Sequence, residues 1–352
     1  MLSQKYTSTF MANNHFVQKH SKLVGFWLMS CCLMVGFMIL LGGATRLTES
    51  GLSIVDWKPF TGLLPPTNQN DWNALFSAYR TSPEFLKINF WMNVEDFKSI
   101  YWLEYLHRLW GRLIGVVFLL PFIYFLIRRK IGINLSWKLG GIFLLICLQG
   151  LLGWYMVKSG LIDEPYVSQY RLAAHLGLAF IIFGLLFWYS LKCLGQKRHR
   201  FKERWLHVSA FTILSCIFIT IIWGAFVAGL DAGLTYNTFP FMDGNIVPKD
   251  LLNLSPWWIN FFENTAAVQF THRYTAVGTV IFTILFFIFS LRTSINTATS
   301  RSIKILVILA VGQMALGVGT LLFEVAMPLG LFHQFGALAL FTSSIWVLYH
   351  LR

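Results

Sequence analysis

The sequence predicts an all-α integral membrane protein: eight transmembrane helices forming two four-helix bundles, related by a pseudo-two-fold axis along the membrane normal. Three observations carry this reading. The 352 residues are 56% hydrophobic and only 12% charged, about half the charged fraction of a soluble globular chain. Apolar runs long enough to cross roughly 30 Å of hydrocarbon recur along the chain. Polar residues inside those runs recur at nearly constant separations: His107-Arg108 and His272-Arg273 are 165 residues apart, Gln149 and Gln313 164, and His175 and His333 158. Four spans per half is an even number, so both halves must point the same way, which sets the axis along the normal.

Taken in order, the tail 1–23 is polar and contains no arginine, and the apolar run after it is too long for a signal-peptide core. Neither a cleaved signal nor a mitochondrial transit peptide is expected. The spans are read at 24–43, 104–127, 139–157, 172–191, 207–229, 268–291, 303–323 and 330–350. The N-terminal half is 24–191, the C-terminal half 207–352, and the basic segment 192–206 is the linker between them. The first inter-span segment, 44–103, is unusually aromatic (Trp57, Phe60, Trp72, Phe76, Tyr79, Phe85, Phe90, Trp91, Tyr101, Trp102). A structureless loop of that length would be uncommon, so short helices at the membrane interface are expected, with turns at Gly51, Gly62 and Pro65-Pro66. Two readings stand: an aromatic belt at headgroup level, or a lid over a buried ligand.

Charge gives the orientation. The net charge is +13, but the N-terminus, 128–138, 192–206, 292–304 and Arg352 together hold 17 of the 28 basic residues and one of the 15 acids, Glu203. Positive residues stay inside, so both termini are cytoplasmic and the acidic loops face outward. Membrane lipid accounts for this basic charge, and no nucleic-acid partner is implied. The five cysteines lie in or beside apolar runs with no CxxC pair, the pattern of small buried hydrophobes.

Four of the nine histidines carry the chemistry. His107, His175, His272 and His333 each sit near the start of an even-numbered span, 21, 17, 20 and 19 residues from the next cytoplasmic basic residue. At about 1.5 Å per residue they share one depth, near the outer edge of the hydrocarbon. Ionisable groups inside spans are costly and suggest function. Two matched pairs on parallel helices suit axial ligation of haem, better than a dinuclear zinc or copper site, for which no cysteine or carboxylate cluster is present. A small residue follows each histidine by four positions (Gly111, Ala179, Ala276, Ala337), which leaves room for a flat ligand or for close helix packing. Arg108, Arg112, Arg171 and Arg273 lie nearby. They suit bidentate contacts to haem propionates, or snorkel to outer headgroups.

Glu104 precedes His107 by one turn, and its repeat counterpart is the neutral Gln269. It reads either as an acid at a helix N-terminus, as an i,i+4 partner of Arg108, or as a carboxylate at a haem edge available for proton transfer. The asymmetry with Gln269 assigns chemistry to the first half.

Three stretches then carry a resemblance: Gly43 through Ser53, Pro83-Glu84-Phe85 running into Glu104–Arg112, and Trp223 through Gly244. Through them nearly the whole chain from residue 24 resembles haem A synthase, the family that oxidises a methyl group of haem O to the formyl of haem A. The resemblance implies that His107 and His175 flank the substrate haem O, that His272 and His333 hold a haem b iron as cofactor, and that Glu104 is the catalytic carboxylate. It implies stepwise oxidation, from methyl to alcohol and then to a geminal diol that loses water. Iron held by two histidines has no open position. Either His107 or His175 releases during turnover, or water attacks the activated carbon with Glu104 taking a proton.

The resemblance also implies a bacterial inner-membrane location, haem O synthase as donor and the haem-copper oxidase assembly pathway as destination; a homo-oligomer is compatible with it. One departure stands out. Some bacterial members carry a cysteine pair in the first outward loop, and this chain has no cysteine between 44 and 103. The rival reading is a di-haem b-type membrane electron-transfer protein, which needs the same histidines but neither the Glu104/Gln269 difference nor the aromatic segment. A repeat-built transporter would place its ionisable groups near the midplane instead.

Overall fold

The computed structural model describes residues 2–56, 62, 64–161, 165–196, 201 and 203–351, with side chains from residue 22 onward. Trp57 and Phe60, the linker positions 197–200 and 202, the side chains of the N-terminal tail, and Arg352 lie outside the described residues. Eleven α-helices occur among them: α1 (Leu2–Leu47), α2 (Gln69–Tyr79), α3 (Pro83–Lys87), α4 (Val94–Ile127), α5 (Ile133–Gly160), α6 (Gln169–Cys193), α7 (Arg204–Gly229), α8 (Asn260–Glu263), α9 (Thr265–Ser290), α10 (Thr297–Leu322) and α11 (Met327–His350). Eight are long and apolar enough to cross a membrane: α1 (from Lys22), α4, α5, α6, α7, α9, α10 and α11. These match the eight spans expected from hydropathy.

The largest departure is at α4, which starts at Val94 and not near 104. Asn93 caps Glu95 and Asp96, and the Asp96 carboxylate accepts from the Asn93 backbone N–H at 3.1 Å. This reciprocal box starts the helix ten residues before the chain becomes continuously apolar. Glu104 is therefore well inside α4, and its reading as an acid at a helix N-terminus is corrected.

The helices pack in a repeated pattern. Helix α1 contacts α4 and α6, and α5 contacts α4 and α6; likewise α7 contacts α9 and α11, and α10 contacts α9 and α11. The two sets meet through α6 with α7, α1 with α11, and α6 with α11. Small residues allow that meeting. A Cβ at Gly36 would touch Leu338 and Phe183, and one at Gly184 would touch Ile345 and Phe341. Indole N–H groups tie α1 to α4, Trp27 donating to Val117 O and Trp110 to Met34 O, both at 2.9 Å. Leu28, Phe118, Phe180, Leu186, Leu206 and Ile213 fill the core. Leu120, Leu144, Trp137, Ile219, Leu285 and Ile308 face outward, as suits a chain whose solvent at that depth is lipid.

At the end of the bundle bearing the long connections, two different caps form. The first is aromatic. Helices α2 and α3, the short helices expected there, lay Trp72, Tyr79 and Phe85 against Phe97, Ile100, Tyr101 and Tyr105 of the extended α4. Tyr79 stacks on Phe97 at 5.0 Å, and Trp72 meets Tyr101 edge-on at 5.1 Å. The second, between α7 and α9, is polar. The Asn264 amide donates to Asp250 O at 2.6 Å and Asn253 Oδ1 at 2.7 Å, while Tyr236 O–H donates to Asp250 Oδ1 at 2.6 Å.

Candidate functional site

His107, His175, His272 and His333 lie on α4, α6, α9 and α11, all toward the long-connection end. His272 and His333 face each other with ring centroids 6.4 Å apart and planes 82° apart. Two imidazoles binding one metal from opposite sides, with metal–nitrogen bonds of about 2.0 Å, put their centroids about 6 Å apart, so this pair is spaced for a single ion between them. His107 and His175 lie within electrostatic reach of each other. Among the described residues no three His, Cys, Asp or Glu cluster as ligands. Pairs alone fit a group that brings its own equatorial donors, as haem does.

Each imidazole rests in a notch made by a glycine on the preceding long helix. A Cβ on Gly42 of α1 would lie 3.2 Å from His107 Cε1, on Gly153 of α5 3.1 Å from His175, on Gly224 of α7 3.1 Å from His272, and on Gly317 of α10 2.9 Å from His333. Any larger residue would push the ring away. One turn before its glycine, the Gln149 amide donates to His175 O at 3.0 Å, and Gln313 donates to His333 O at 2.9 Å. The sequence reading found these glutamines and missed the glycines. The signal was present as Gln149-x-x-x-Gly153 and Gln313-x-x-x-Gly317, repeated 164 residues apart. Of the small residues noted after each histidine, Gly111 faces the Met38 side chain.

The ring nitrogens differ between the pairs. His272 Nδ1 lies 3.1 Å from Thr220 O. That carbonyl fixes the proton on Nδ1 and leaves Nε2 free to bind a metal. His333 Nδ1 lies 3.2 Å from the Gln313 amide nitrogen. The Nδ1 atoms of His107 and His175 are buried without a hydrogen-bond partner.

Glu104 is 2% exposed and both oxygens are engaged. Oε1 accepts from Arg108 Nε at 2.9 Å and Nη2 at 2.5 Å; Oε2 accepts from Ser53 O–H at 2.6 Å and Ile54 N–H at 2.8 Å. The i,i+4 ion pair with Arg108 is thus present. Gln269 occupies the matched place with reversed polarity, its amide donating to Tyr236 O at 3.0 Å. The arginines repeat as well. Arg108 donates to Ile54 O (2.9 Å) and Asp56 O (3.5 Å), and Arg273 to Tyr236 O and to Thr238 O (2.9 Å). Each arginine clamps two carbonyls, two residues apart, on the connection above its own histidine.

The other basic candidates are arranged differently. Arg171 donates to Ser159 Oγ and lies 4.8 Å above the Tyr155 ring. Arg112 sits one turn deeper than Arg108 on α4. Two buried donors in the second set, Arg273 Nε and Trp223 Nε1, have no acceptor, which suits an acidic group of a bound ligand.

The three stretches that carried the resemblance converge here. Ser53 and Ile54 bind Glu104, and Arg46 joins the first stretch to the third, donating to Asp231 Oδ1 and Ala228 O at 2.7 Å each. The chain matches a family model described as Cytochrome oxidase assembly protein (COX15-CtaA) over residues 25–345. A heme A synthase from Nitrosospira multiformis is 47% identical over 334 residues, 94% of each chain. One from Paramagnetospirillum magneticum is 46% identical over 335 residues, 93% of each chain. A third, from Wolbachia pipientis wMel, is 45% identical over 338 residues, 94% of this chain and 93% of that one.

Proposed function

The chain belongs to the haem A synthase family, an oxidoreductase that converts haem O to haem A, and from that premise we propose how its residues divide the work. Two four-helix halves, 24–191 and 207–352, are related by a pseudo-two-fold axis along the membrane normal and joined by the 192–206 linker. The matched packing of α1, α4, α5 and α6 with α7, α9, α10 and α11 supports this. The basic connections support cytoplasmic termini, and the bacterial relatives support a bacterial inner membrane. Within the family, the chain is a bacterial type without the first-loop cysteine pair.

His107 and His175 flank the substrate haem O, and His272 and His333 hold a haem b cofactor. The observation that carries the assignment is the acceptor at His272 Nδ1, which neither His107 nor His175 has; at His333 Nδ1 the neighbour is a donor, the Gln313 amide nitrogen. An acceptor at His272 Nδ1 raises the ligand's basicity and fixes its ring, as at permanent metal sites. The first pair lacks any such partner, which suits a ligand that must enter as substrate and leave as product. Bound haem b would supply one-electron redox chemistry beside the substrate.

The remaining work belongs to side chains. Arg273 Nε and Trp223 Nε1 are donors for propionates of the second haem, and Arg108, Arg112 and Arg171 serve the first. Helices α2 and α3 close over the first site and exclude water. Glu104 is the catalytic carboxylate: it holds Arg108 and the 53–56 segment over the substrate, and takes a proton by exchanging one of those four bonds. Gln269 keeps the segment-holding role alone. The product enters cytochrome oxidase assembly, with haem O synthase as donor.

Single alanine variants test the division. With one haem b per chain, His272→Ala and His333→Ala lose the low-spin haem b spectrum, whereas His107→Ala and His175→Ala keep it and lose haem O binding. A resident haem b spectrum that survives in both second-half variants would overturn it.

A further inference from the structure

Glu84 belongs to a stretch that carried the resemblance, yet nothing in the reaction as described uses it. It lies at the start of α3, whose N-cap Ser82 accepts from Phe85 N–H at 3.2 Å. A loop acid there would ordinarily point into water. Glu84 instead is 4% exposed, and its Oε2 is buried without a hydrogen-bond partner.

Its surroundings are the aromatic cap. Tyr79, fully buried, hydrogen-bonds to the Glu84 carboxyl, and the Asn89 amide donates to the Tyr79 oxygen at 2.8 Å. The titratable and charged groups around it are Tyr79 from α2, Glu104 from α4 and Glu49 beyond α1. Arg80 lies 5.9 Å above the neighbouring Phe85 ring, and Lys87 is on the same short helix. Burial, opposed by the Tyr79 hydrogen bond and reinforced by the Glu104 and Glu49 charges, pushes the Glu84 carboxyl up to about 8.

Glu104 and Glu84 are thus two neighbouring carboxyls in opposite settings. One is paired with arginine and saturated with donors; the other is dry and partly unpartnered. Two carboxyls held in such different surroundings can take different parts in one proton transfer.

We propose that Glu84 is the proton-exchanging group of the cap, passing protons from Glu104 to the outer aqueous phase. The proposal rests on the assignment of Glu104 to the substrate site. One cycle moves one proton. The Glu84 acid gives its proton to water at the outer face, and the resulting carboxylate takes the proton that Glu104 has received. Both carboxyls return to their starting states. Acting through Glu104, Glu84 is a relay residue and touches no reacting atom.

The test is the pH dependence of haem A formation by purified protein supplied with haem O and an electron acceptor, in wild type, Glu84→Gln and Tyr79→Phe. Wild-type turnover rises toward a plateau above about pH 8, as the accepting carboxylate becomes available. Glu84→Gln keeps the Tyr79 bond and the haem b spectrum but turns over at least about tenfold more slowly at pH 8, with no inflection. Tyr79→Phe removes a bond that favours the carboxylate, so its inflection moves to higher pH. A protonated-carboxyl infrared band present at pH 6, fading through about pH 8 and missing in Glu84→Gln, reports the same group without turnover. A Glu84→Gln profile superimposable on wild type, or a Tyr79→Phe inflection that stays put, overturns the relay. Wild-type protein that makes no haem A would instead overturn the functional assignment.

Discussion

Gly224→Ala isolates the notch behind His272. The added Cβ would lie 3.1 Å from His272 Cε1, a few tenths of an ångström inside ordinary contact, so the ring must back away by about that much. The Nδ1–Thr220 O hydrogen bond is already 3.1 Å, and such a retreat takes it to about 3.4 Å, past the normal range. Losing the outer partner of a metal-bound histidine typically weakens metal binding about 10- to 100-fold, or about 1.4–2.8 kcal/mol. The substitution also has an opposite effect, since alanine favours a helix interior over glycine by about 0.5–1 kcal/mol. That gain acts on the fold and not on the cofactor.

The expected result is therefore split. The haem-free protein melts no lower than wild type, while transfer of haem b to apomyoglobin is at least about tenfold faster. Gly278→Ala and Gly312→Ala, where a Cβ meets open space, serve as controls and leave haem transfer unchanged. A Gly224→Ala protein with wild-type transfer kinetics would refute the notch as a positioning device for His272.

Two further outcomes follow from the connections. The Arg46–Asp231 pair is partly exposed, 25% and 54% at the two side chains, so Asp231→Asn lowers stability by less than about 1 kcal/mol. Arg46→Leu also strips the charged bond to Ala228 O and costs about 1.5–3 kcal/mol more; thermal melts of the two variants should rank accordingly. For Glu84, the folded value of about 8 exceeds its ordinary 4.5. The folded chain thus binds more protons between those limits, and its contribution to stability is full below pH 4.5 and lost as pH rises to about 8. Glu84→Gln should gain melting temperature relative to wild type at pH 9 but not at pH 5; equal differences at both would show that the carboxyl is not protonated in the folded protein.

Much of this was legible in the chain because burial in lipid is written in composition. Eight apolar runs become eight helices, and four histidines inside such runs stand out because an ionisable group there must be matched by something. Helix ends were less legible. Hydropathy marks where lipid begins, whereas α4 begins at the Asn93–Asp96 box, out among polar residues. The glycine notches lie on a different helix from the rings they seat; the repeated Gln-x-x-x-Gly pattern points to Gly153 and Gly317, and no such pattern marks Gly42 or Gly224. That Arg108 and Arg273 also bind carbonyls of the connecting segments could not be read from spacing, because the path of those segments is set by packing. Glu84 is named in the sequence only as part of a stretch of the resemblance, and nothing there shows that it is buried beside Tyr79.

The central claim, that this fold oxidises haem O with Glu104 at the reacting site, is tested most directly by extracting pigments from cells supplied with a haem O source. The wild-type chain is expected to yield haem A. Glu104→Gln, with haem b in place and the fold intact, is expected to leave haem O unconverted. Substantial haem A from that variant would contradict the account.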